Sequence, residues 1–254
     1  MKNFFILAML IATMAISCKK DDSIPETREK KVLLARTSTT YSYDGSTVIT
    51  EYTYDDNGRI VGELEDKGTK NEELVTYTYD SKGNITAQKF PNRGSLRNEY
   101  GYDNQNRMIS VQRYQADGSN NGKSTYAYFD NRIEETRTSK AGYNTKQVLT
   151  YTTDKKNIGN LKIYDIKGNL FIDQTYTFAN IKDPIKTVSP PTPYALSINL
   201  AEKIISVDYD DPTSPNTQTY TYNYVAHTNG YPSSVTEISN GKLRVTTTYE
   251  YIVK

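Results

Sequence analysis

The sequence predicts an all-β fold, an antiparallel up-and-down meander that closes into a barrel or a strongly curled sheet. The first observation is a recurring pattern, Tyr-x-Tyr-Asp-x-x-Gly, that weakens along the chain. Its second tyrosine falls at Tyr54, Tyr79, Tyr102 and Tyr128, at spacings of 25, 23 and 26 residues. The second observation is that each unit holds two β-forming runs and two turn signals, which leave no room for a helix.

Each part of the unit has a structural reason. Tyrosines two residues apart lie on one face of a strand. Asp-x-x-Gly, as in Asp55 to Gly58, is typical of a turn in which aspartate accepts backbone hydrogen bonds and glycine takes a positive φ. Because every connection has hairpin length, neighbouring strands pair antiparallel in sequence order, giving roughly 14 to 16 strands. An open sheet of that size would expose two edges, so we expect closure.

One segment interrupts the repeat. Residues 180–193 contain four prolines, which excludes a central strand and predicts an extended crossing loop. Hairpins resume at residues 195–200, so a single domain is predicted over residues 35–254. Because the loop breaks the pattern without an evident structural need, it is also a place to look for function.

Composition narrows the function. The net charge is +1, and nucleic-acid binding needs a basic surface, so no nucleic-acid partner is expected. Apolar residues make up only 36% of the chain, which has 23 tyrosines and no tryptophan. Tyrosine rings must therefore supply much of the core.

The first residues read as a sorting signal. Lys2 precedes an apolar run over residues 4–16, which is too short for a membrane-spanning helix. The run ends at Ser17 and Cys18, the only cysteine, and this order resembles a lipobox. We expect a signal peptide at residues 1–17 and lipid attachment at Cys18; the alternative is an ordinary secretory signal.

Charged residues follow the cysteine at once: Lys19, Lys20, Asp21 and Asp22. This tract resembles the leader that directs Bacteroidota lipoproteins to the cell surface. A solvated tether without an addressing role is the alternative. Residues 18–34 would form the lipidated N-terminus and a flexible tether, with an outer-membrane, surface-exposed location.

Tyr52 to Arg59 resembles the tyrosine-aspartate repeat of the Rhs family, which implies a β shell. With the cysteine leader, residues 35–254 are similar to a Bacteroidota lipoprotein family of unknown function with a porin-like fold. The resemblance implies an architecture and no particular activity. Its contact with the membrane would be the lipid anchor alone.

Three functions are weighed. The preferred one is a non-enzymatic binding or scaffold module for a glycan or an envelope protein, without a cofactor. The second is a hydrolase with an unrecognised carboxylate pair. A membrane pore is disfavoured, because no strand face is continuously apolar; Arg97 and Glu99, for example, share a face.

Other polar residues are better explained by turns than by catalysis or metal binding. His227 lacks any accompanying nucleophile motif. The group Asp208, Asp210, Asp211 and Asn216 lacks the glutamate of a calcium loop. The repeat aspartates are expected to cap turns; they are Asp55, Asp80, Asp103 and Asp154.

The tyrosine ladder is the remaining candidate binding set. Its members are Tyr52, Tyr54, Tyr77, Tyr79, Tyr100, Tyr102, Tyr126 and Tyr128. Exposed rings would stack against sugars or apolar ligands, whereas inward rings would build the core. A chain this poor in aliphatic residues favours the structural role.

Overall fold

The computed structural model describes residues 30–94, 96–188, 192–193, 197–211 and 213–254. These residues form sixteen strands and two short 3-10 helices, Pro91–Arg93 and Pro184–Thr187. The strands are β1 (Val32–Tyr41), β2 (Thr47–Tyr54), β3 (Ile60–Glu65), β4 (Glu73–Tyr79), β5 (Ile85–Phe90), β6 (Leu96–Tyr102), β7 (Met108–Tyr114), β8 (Asn120–Tyr128), β9 (Arg132–Ser139), β10 (Thr145–Tyr151), β11 (Ile158–Asp165), β12 (Leu170–Lys182), β13 (Asn199–Asp208), β14 (Asn216–Ala226), β15 (Pro232–Ser239) and β16 (Lys242–Val253).

The strands form a closed barrel. Each pairs antiparallel with the next in sequence, and β1 pairs with β16 to complete the ring. Two backbone hydrogen bonds between Lys31 and Lys254, of 2.9 and 3.0 Å, extend that closing ladder. The predicted meander is confirmed, and closure leaves no edge of the sheet unpaired.

The hairpin turns alternate between the two ends of the barrel. The turns with the Asp-x-x-Gly pattern, which join β2 to β3, β4 to β5 and β6 to β7, lie at the end where β1 begins and β16 finishes. We call this the motif end and the opposite one the far end. The described part of the chain therefore enters the barrel at the motif end.

The barrel begins earlier than the sequence predicted. Strand β1 starts at Val32, not at residue 35; Leu33 and Leu34 are both buried, and Leu34 belongs to a core cluster. The predicted signal peptide (1–17), the lipid attachment site Cys18 and the export tract Lys19, Lys20, Asp21 and Asp22 lie outside the described residues.

The motif turn links neighbouring repeats. The Asp55 carboxylate accepts hydrogen bonds from the backbone N–H groups of Asn57 and Arg59, at 3.0 and 2.8 Å, and pairs with the Arg59 guanidinium. That guanidinium lies 4.7 Å from the ring centre of Tyr79 in the next repeat. Gly58 has a φ of 73°, which favours glycine. Asp103 and Arg107 repeat this arrangement over Tyr128.

The proline-rich segment differs from the expected crossing loop. Strand β12 continues to Lys182, so residues 180–182 are extended sheet. The chain then turns into a 3-10 helix that the Asp183 carboxylate caps at the N–H of Ile185. Val188, only 3% exposed, packs in a core cluster with Leu34 and Ile60. Among the described residues of the segment, Pro184, Val188 and Pro193 are buried, so this part of the chain contributes to the core.

The buried side chains are concentrated on one part of the barrel, which we call the repeat wall (β2–β11, strands of 6 to 9 residues). The long-strand wall comprises β12–β16 and β1, with 8 to 13 residues each. One core cluster lies wholly on β7–β11, and the other joins β1, β3, β4 and β5 to Val188. Within the described residues of β12–β16, only Pro232 is buried.

Candidate ligand-binding site in the barrel interior

The predicted tyrosine ladder lies on the inner face of the barrel. Tyr77 and Tyr126 are buried, at 7% and 8% exposure, and the other members are half-buried. They pack in or against the two core clusters. The rings therefore form part of the core, and the ladder offers no exposed aromatic surface on the outside of the barrel.

The second tyrosine of each motif bonds to the preceding repeat. Its hydroxyl donates to a backbone carbonyl near the start of the preceding strand, which for Tyr79, Tyr102 and Tyr128 is the strand that follows the previous motif turn. These bonds are Tyr54 to Leu34 (2.5 Å), Tyr79 to Ile60 (2.5 Å), Tyr102 to Ile85 (2.8 Å) and Tyr128 to Met108 (2.7 Å). In the long-strand wall, Tyr224 donates to Ala201 and Tyr251 to Pro232 in the same way. We call these bonds the tyrosine latches.

The first tyrosine of the motif belongs to an internal polar network. The Tyr77 hydroxyl donates to the Glu63 carboxylate at 2.7 Å, and that of Tyr100 donates to the side-chain amide oxygen of Gln88 at 2.9 Å. Burial raises the pKa of Tyr100 to about 12. Since the barrel itself satisfies these hydroxyls, they are poorly placed to recognise a ligand.

The outer face carries charged pairs along its strands. Glu134 lies between the buried Ile133 and Glu135 and so points outward, where it pairs with Arg132 and Lys146 at 2.8 and 3.0 Å. Other outward pairs are Arg36–Glu250, Arg97–Glu99 and Lys162–Asp173. These pairs occur on both walls, so charge surrounds the barrel at the level of its strands.

Two arginines differ from all the others that the structure describes. Arg113 on β7 and Arg137 on β9 form no ion pair, whereas the remaining described arginines each pair with an acid. Both point inward. Sequence reasoning missed them, because arginines on alternating strands read as surface residues.

Small residues on β8 bring the two arginines together. Arg113 is opposite Gly122, and its Nη2 donates to the Ser124 hydroxyl at 3.0 Å. Ser124 is itself opposite Arg137. A Cβ at Gly122 would collide with the Thr138 carbonyl oxygen, so only glycine fits this register. Burial and the Arg137 charge lower the pKa of Arg113, and its Nη1 is buried without a hydrogen-bond partner.

Arg137 also lines a cavity of about 400 Å³ at the far end of the barrel, which we call the mouth cavity. Its lining includes Arg137, Ser139, Tyr143, Thr145, Gln147 and Phe171. The Thr145 hydroxyl is buried and lacks a hydrogen-bond partner in the structure. The Tyr143 side chain is 80% exposed. The cavity thus combines a cation, hydroxyl groups, an amide and aromatic rings.

Three acids also lie together on the inner face, on β3 and β4. Glu65 is opposite Glu73, and Glu63 precedes it by two residues on the same face. Glu73 is 4% exposed and pairs with Arg93. Burial raises the pKa of Glu63 and of Glu65, and for Glu65 the nearby Glu73 charge adds to the effect.

The remaining sequence candidates lie in turns. Asp80 and Asp103 accept backbone hydrogen bonds like Asp55, and Asp154 does so from Lys156, which confirms their capping role. Asp208 caps the N–H of Asp210. His227 lies in the turn before β15, with its ring 5.8 Å from that of Tyr251. Among the described residues, no group of three or more His, Cys, Asp or Glu side chains is arranged to hold a metal ion.

The chain is similar to solved structures of porin-like proteins. One, from Bacteroides uniformis, has 15% sequence identity and a TM-score of 0.43, over 89% of this chain and 97% of that one. Another, from Bacteroides vulgatus, has 9% identity and a TM-score of 0.49, over 87% of this chain and 99% of that one. No protein-family model matches the chain, and neither does any curated protein. No helix within the described ranges is long and apolar enough to cross a bilayer.

Proposed function

We propose that this chain is a non-enzymatic lipoprotein of the cell envelope whose barrel is a water-exposed binding or scaffold module. Cys18 would carry the lipid anchor, and residues 19–22 would direct the protein to the outer face of the outer membrane. The ligand or partner would be a glycan or another envelope protein. The barrel itself would stay outside the bilayer.

The polarity of the barrel carries the proposal. A transmembrane barrel needs an apolar outer band about 25 Å tall, and a lysine or arginine at its centre costs about 2–4 kcal/mol. Here Lys162 and Arg132 lie on the outer face in ion pairs, while the tyrosines lie inside. On a surface exposed to water, such ion pairs cost the folded protein little free energy. The distribution of polar residues therefore favours a barrel surrounded by water over one surrounded by lipid.

The position of β1 bears on how a lipid anchor would be connected to the barrel. The chain enters β1 at the motif end, so a lipid at Cys18 would be connected to the barrel through that end. The mouth cavity lies at the far end of the barrel.

The proposal is tested by expressing residues 30–254 without the preceding segment. We expect a protein that is soluble without detergent, has a β-type circular dichroism spectrum and produces no conductance in a planar bilayer. A requirement for detergent, or channel currents, would instead support a pore. In the full chain, Cys18→Ser should abolish labelling by a palmitate analogue; persistent labelling would contradict the anchor.

The second candidate function is a carboxylate-dependent hydrolase. It is favoured by the cross-strand pair Glu65 and Glu73 and by the raised pKa of Glu65, because the general acid of a carboxylate pair is the carboxyl whose pKa is raised. Screening with chromogenic glycosides would test it. Hydrolysis that Glu65→Gln abolishes and Glu51→Gln, on the outer face, leaves intact would support the enzyme.

A further inference from the structure

The mouth cavity contains polar groups that the barrel leaves unsatisfied. The Thr145 hydroxyl is buried without a hydrogen-bond partner, and buried polar groups in folded proteins are almost always hydrogen-bonded. Arg137, whose side chain is exposed to solvent, forms no ion pair with a described acid. Arg113 does not line the cavity, but its Nη1 is buried without a partner on the strand beyond β8. The buried hydroxyl and the unpaired guanidinium in one cavity indicate that a bound molecule completes their bonding.

The charge of this region favours an anion. Arg113 donates to the Ser124 hydroxyl, and Arg137 lies opposite Ser124 on the neighbouring strand. The inward acid on β9 is Glu135, which is 2% exposed. Two guanidinium groups and one carboxylate leave a net positive charge. A guanidinium binds carboxylate or sulfate oxygens with two parallel hydrogen bonds, and it does so more strongly when water is excluded.

The rest of the lining favours a ring-shaped, hydroxylated ligand. Ser139 and Thr145 offer hydroxyls, Tyr143 offers an exposed ring at the rim, and Phe171 adds a second aromatic surface. Aromatic faces with hydrogen-bonding groups beside them suit the alternating apolar and polar faces of a sugar. The volume of about 400 Å³ falls within the range of small-ligand pockets.

We propose that the mouth cavity binds an acidic saccharide, a sugar ring that carries a carboxylate or a sulfate. Arg137 holds the anionic group, Thr145 and Ser139 bond to ring hydroxyls, and Tyr143 covers one face of the ring. This proposal deepens the binding role proposed above and rests on it. It names the class of ligand and the side chains that select it.

The test is a saturation-transfer NMR titration of the full-length protein in mild detergent with four probes: glucuronate, glucose 6-sulfate, glucose and acetate. We expect binding of glucuronate, of glucose 6-sulfate or of both, at least about tenfold tighter than glucose or acetate, since a charge-assisted hydrogen bond contributes that much. The ratio of the affinities for glucuronate and glucose 6-sulfate distinguishes a carboxylate site from a sulfate site.

Matched variants separate recognition from folding. Arg137→Gln should weaken acidic-sugar binding about tenfold or more without changing that of glucose. Arg132→Gln, on the outer face of the same strand, is the control and should bind as the wild type does. Tyr143→Ala removes an exposed ring and should weaken binding while the unfolding temperature stays constant.

Several outcomes would overturn the proposal. Equal affinity for glucose and glucuronate would show that the site does not select an anion. Equal affinity for acetate and glucuronate would show that it does not select a sugar. No binding of any probe by folded protein would reject the cavity as a saccharide site. That last result would leave the envelope-lipoprotein proposal standing, because solubility and lipid labelling test it separately.

Discussion

The two walls of the barrel use the same topology and differ in how they are packed. On the repeat wall, residues such as Val75, Ile133 and Leu149 are completely buried. On β12–β16 of the long-strand wall, inward residues such as Ile204 and Tyr222 are only half-buried, whereas Leu34 on β1, next to the repeat wall, is buried. Hydrogen bonding between strands is continuous around both walls, so the sheet closes whether or not its inner face is filled.

The comparison indicates that the motif itself builds the core. Each repeat supplies one aliphatic residue directly after its turn, namely Ile60, Ile85 or Met108, and all three are buried. The tyrosine that ends the preceding strand packs beside it and latches to the previous repeat. Beyond β11 the motif fades, and the aliphatic residue is lost with it. Close packing therefore depends on the repeat rather than on the barrel.

The largest expected difference between the walls is in the cost of truncating an inward residue. Leu149→Ala should lower the free energy of unfolding by about 2–5 kcal/mol, because it leaves a cavity in a closed cluster. Ile204→Ala, between Tyr176 and Tyr220 on the long-strand wall, should cost about 1 kcal/mol, as for a half-exposed site. Urea unfolding of both variants measures this; equal losses would refute the distinction.

Alkaline pH should show whether the walls open together. Burial raises the pKa of Tyr100 on the repeat wall, and of Tyr176 and Tyr249 on the long-strand wall, to about 12. An unfolded tyrosine loses its proton near pH 10, so between pH 10 and 12 the unfolded chain binds fewer protons and stability falls. We expect tyrosinate absorbance at 295 nm and circular dichroism to change in one coincident transition. Two separate transitions would mean that the walls unfold independently.

The smallest predicted effect concerns the tyrosine latches. Tyr79→Phe removes the donor to the carbonyl of Ile60, a residue that is 3% exposed, and should cost about 1–3 kcal/mol. Tyr224→Phe removes the equivalent bond to Ala201, which is half-buried and accessible to water, and should cost about 0.5 kcal/mol. Thermal unfolding of the pair compares them. A larger loss of stability for Tyr224→Phe than for Tyr79→Phe would contradict the conclusion that the repeat wall is the more tightly packed one.

Much of this architecture could be predicted from the sequence, because turns are encoded locally. Asp55 and Gly58 define their turn through their own side-chain and backbone chemistry, and repeated hairpins leave a closed meander as the favoured arrangement. The inward placement of the tyrosines follows from the shortage of aliphatic residues.

The faces of individual strands were harder to predict. Strict alternation would put Ile109 and Val111 on one face of β7 and Met108 on the other. Instead Met108 and Val111 are both buried, and Ile109 is 39% exposed, because the register shifts between Gly101 and Tyr102 on the partner strand. Such a bulge depends on pairing between strands.

The mouth cavity could not be predicted for a related reason. Arg113 and Arg137 are 24 residues apart in the sequence and meet only through β8, which lies between them. Gly122 and Ser124 permit that meeting by their small size, and neither belongs to the motif. The site therefore arises from departures from the repeat, which a search for periodicity passes over.

The pairing of β1 with β16 brings the first and last residues of the barrel side by side. Lys31 and Lys254 already exchange backbone hydrogen bonds, so a short glycine-rich linker could join the barrel's two termini. The circle could then be opened at any far-end turn, for example between residues 117 and 118, to give a permuted protein with the same sheet. The new termini would then lie at the far end of the barrel, where a fusion partner could be attached near the mouth cavity.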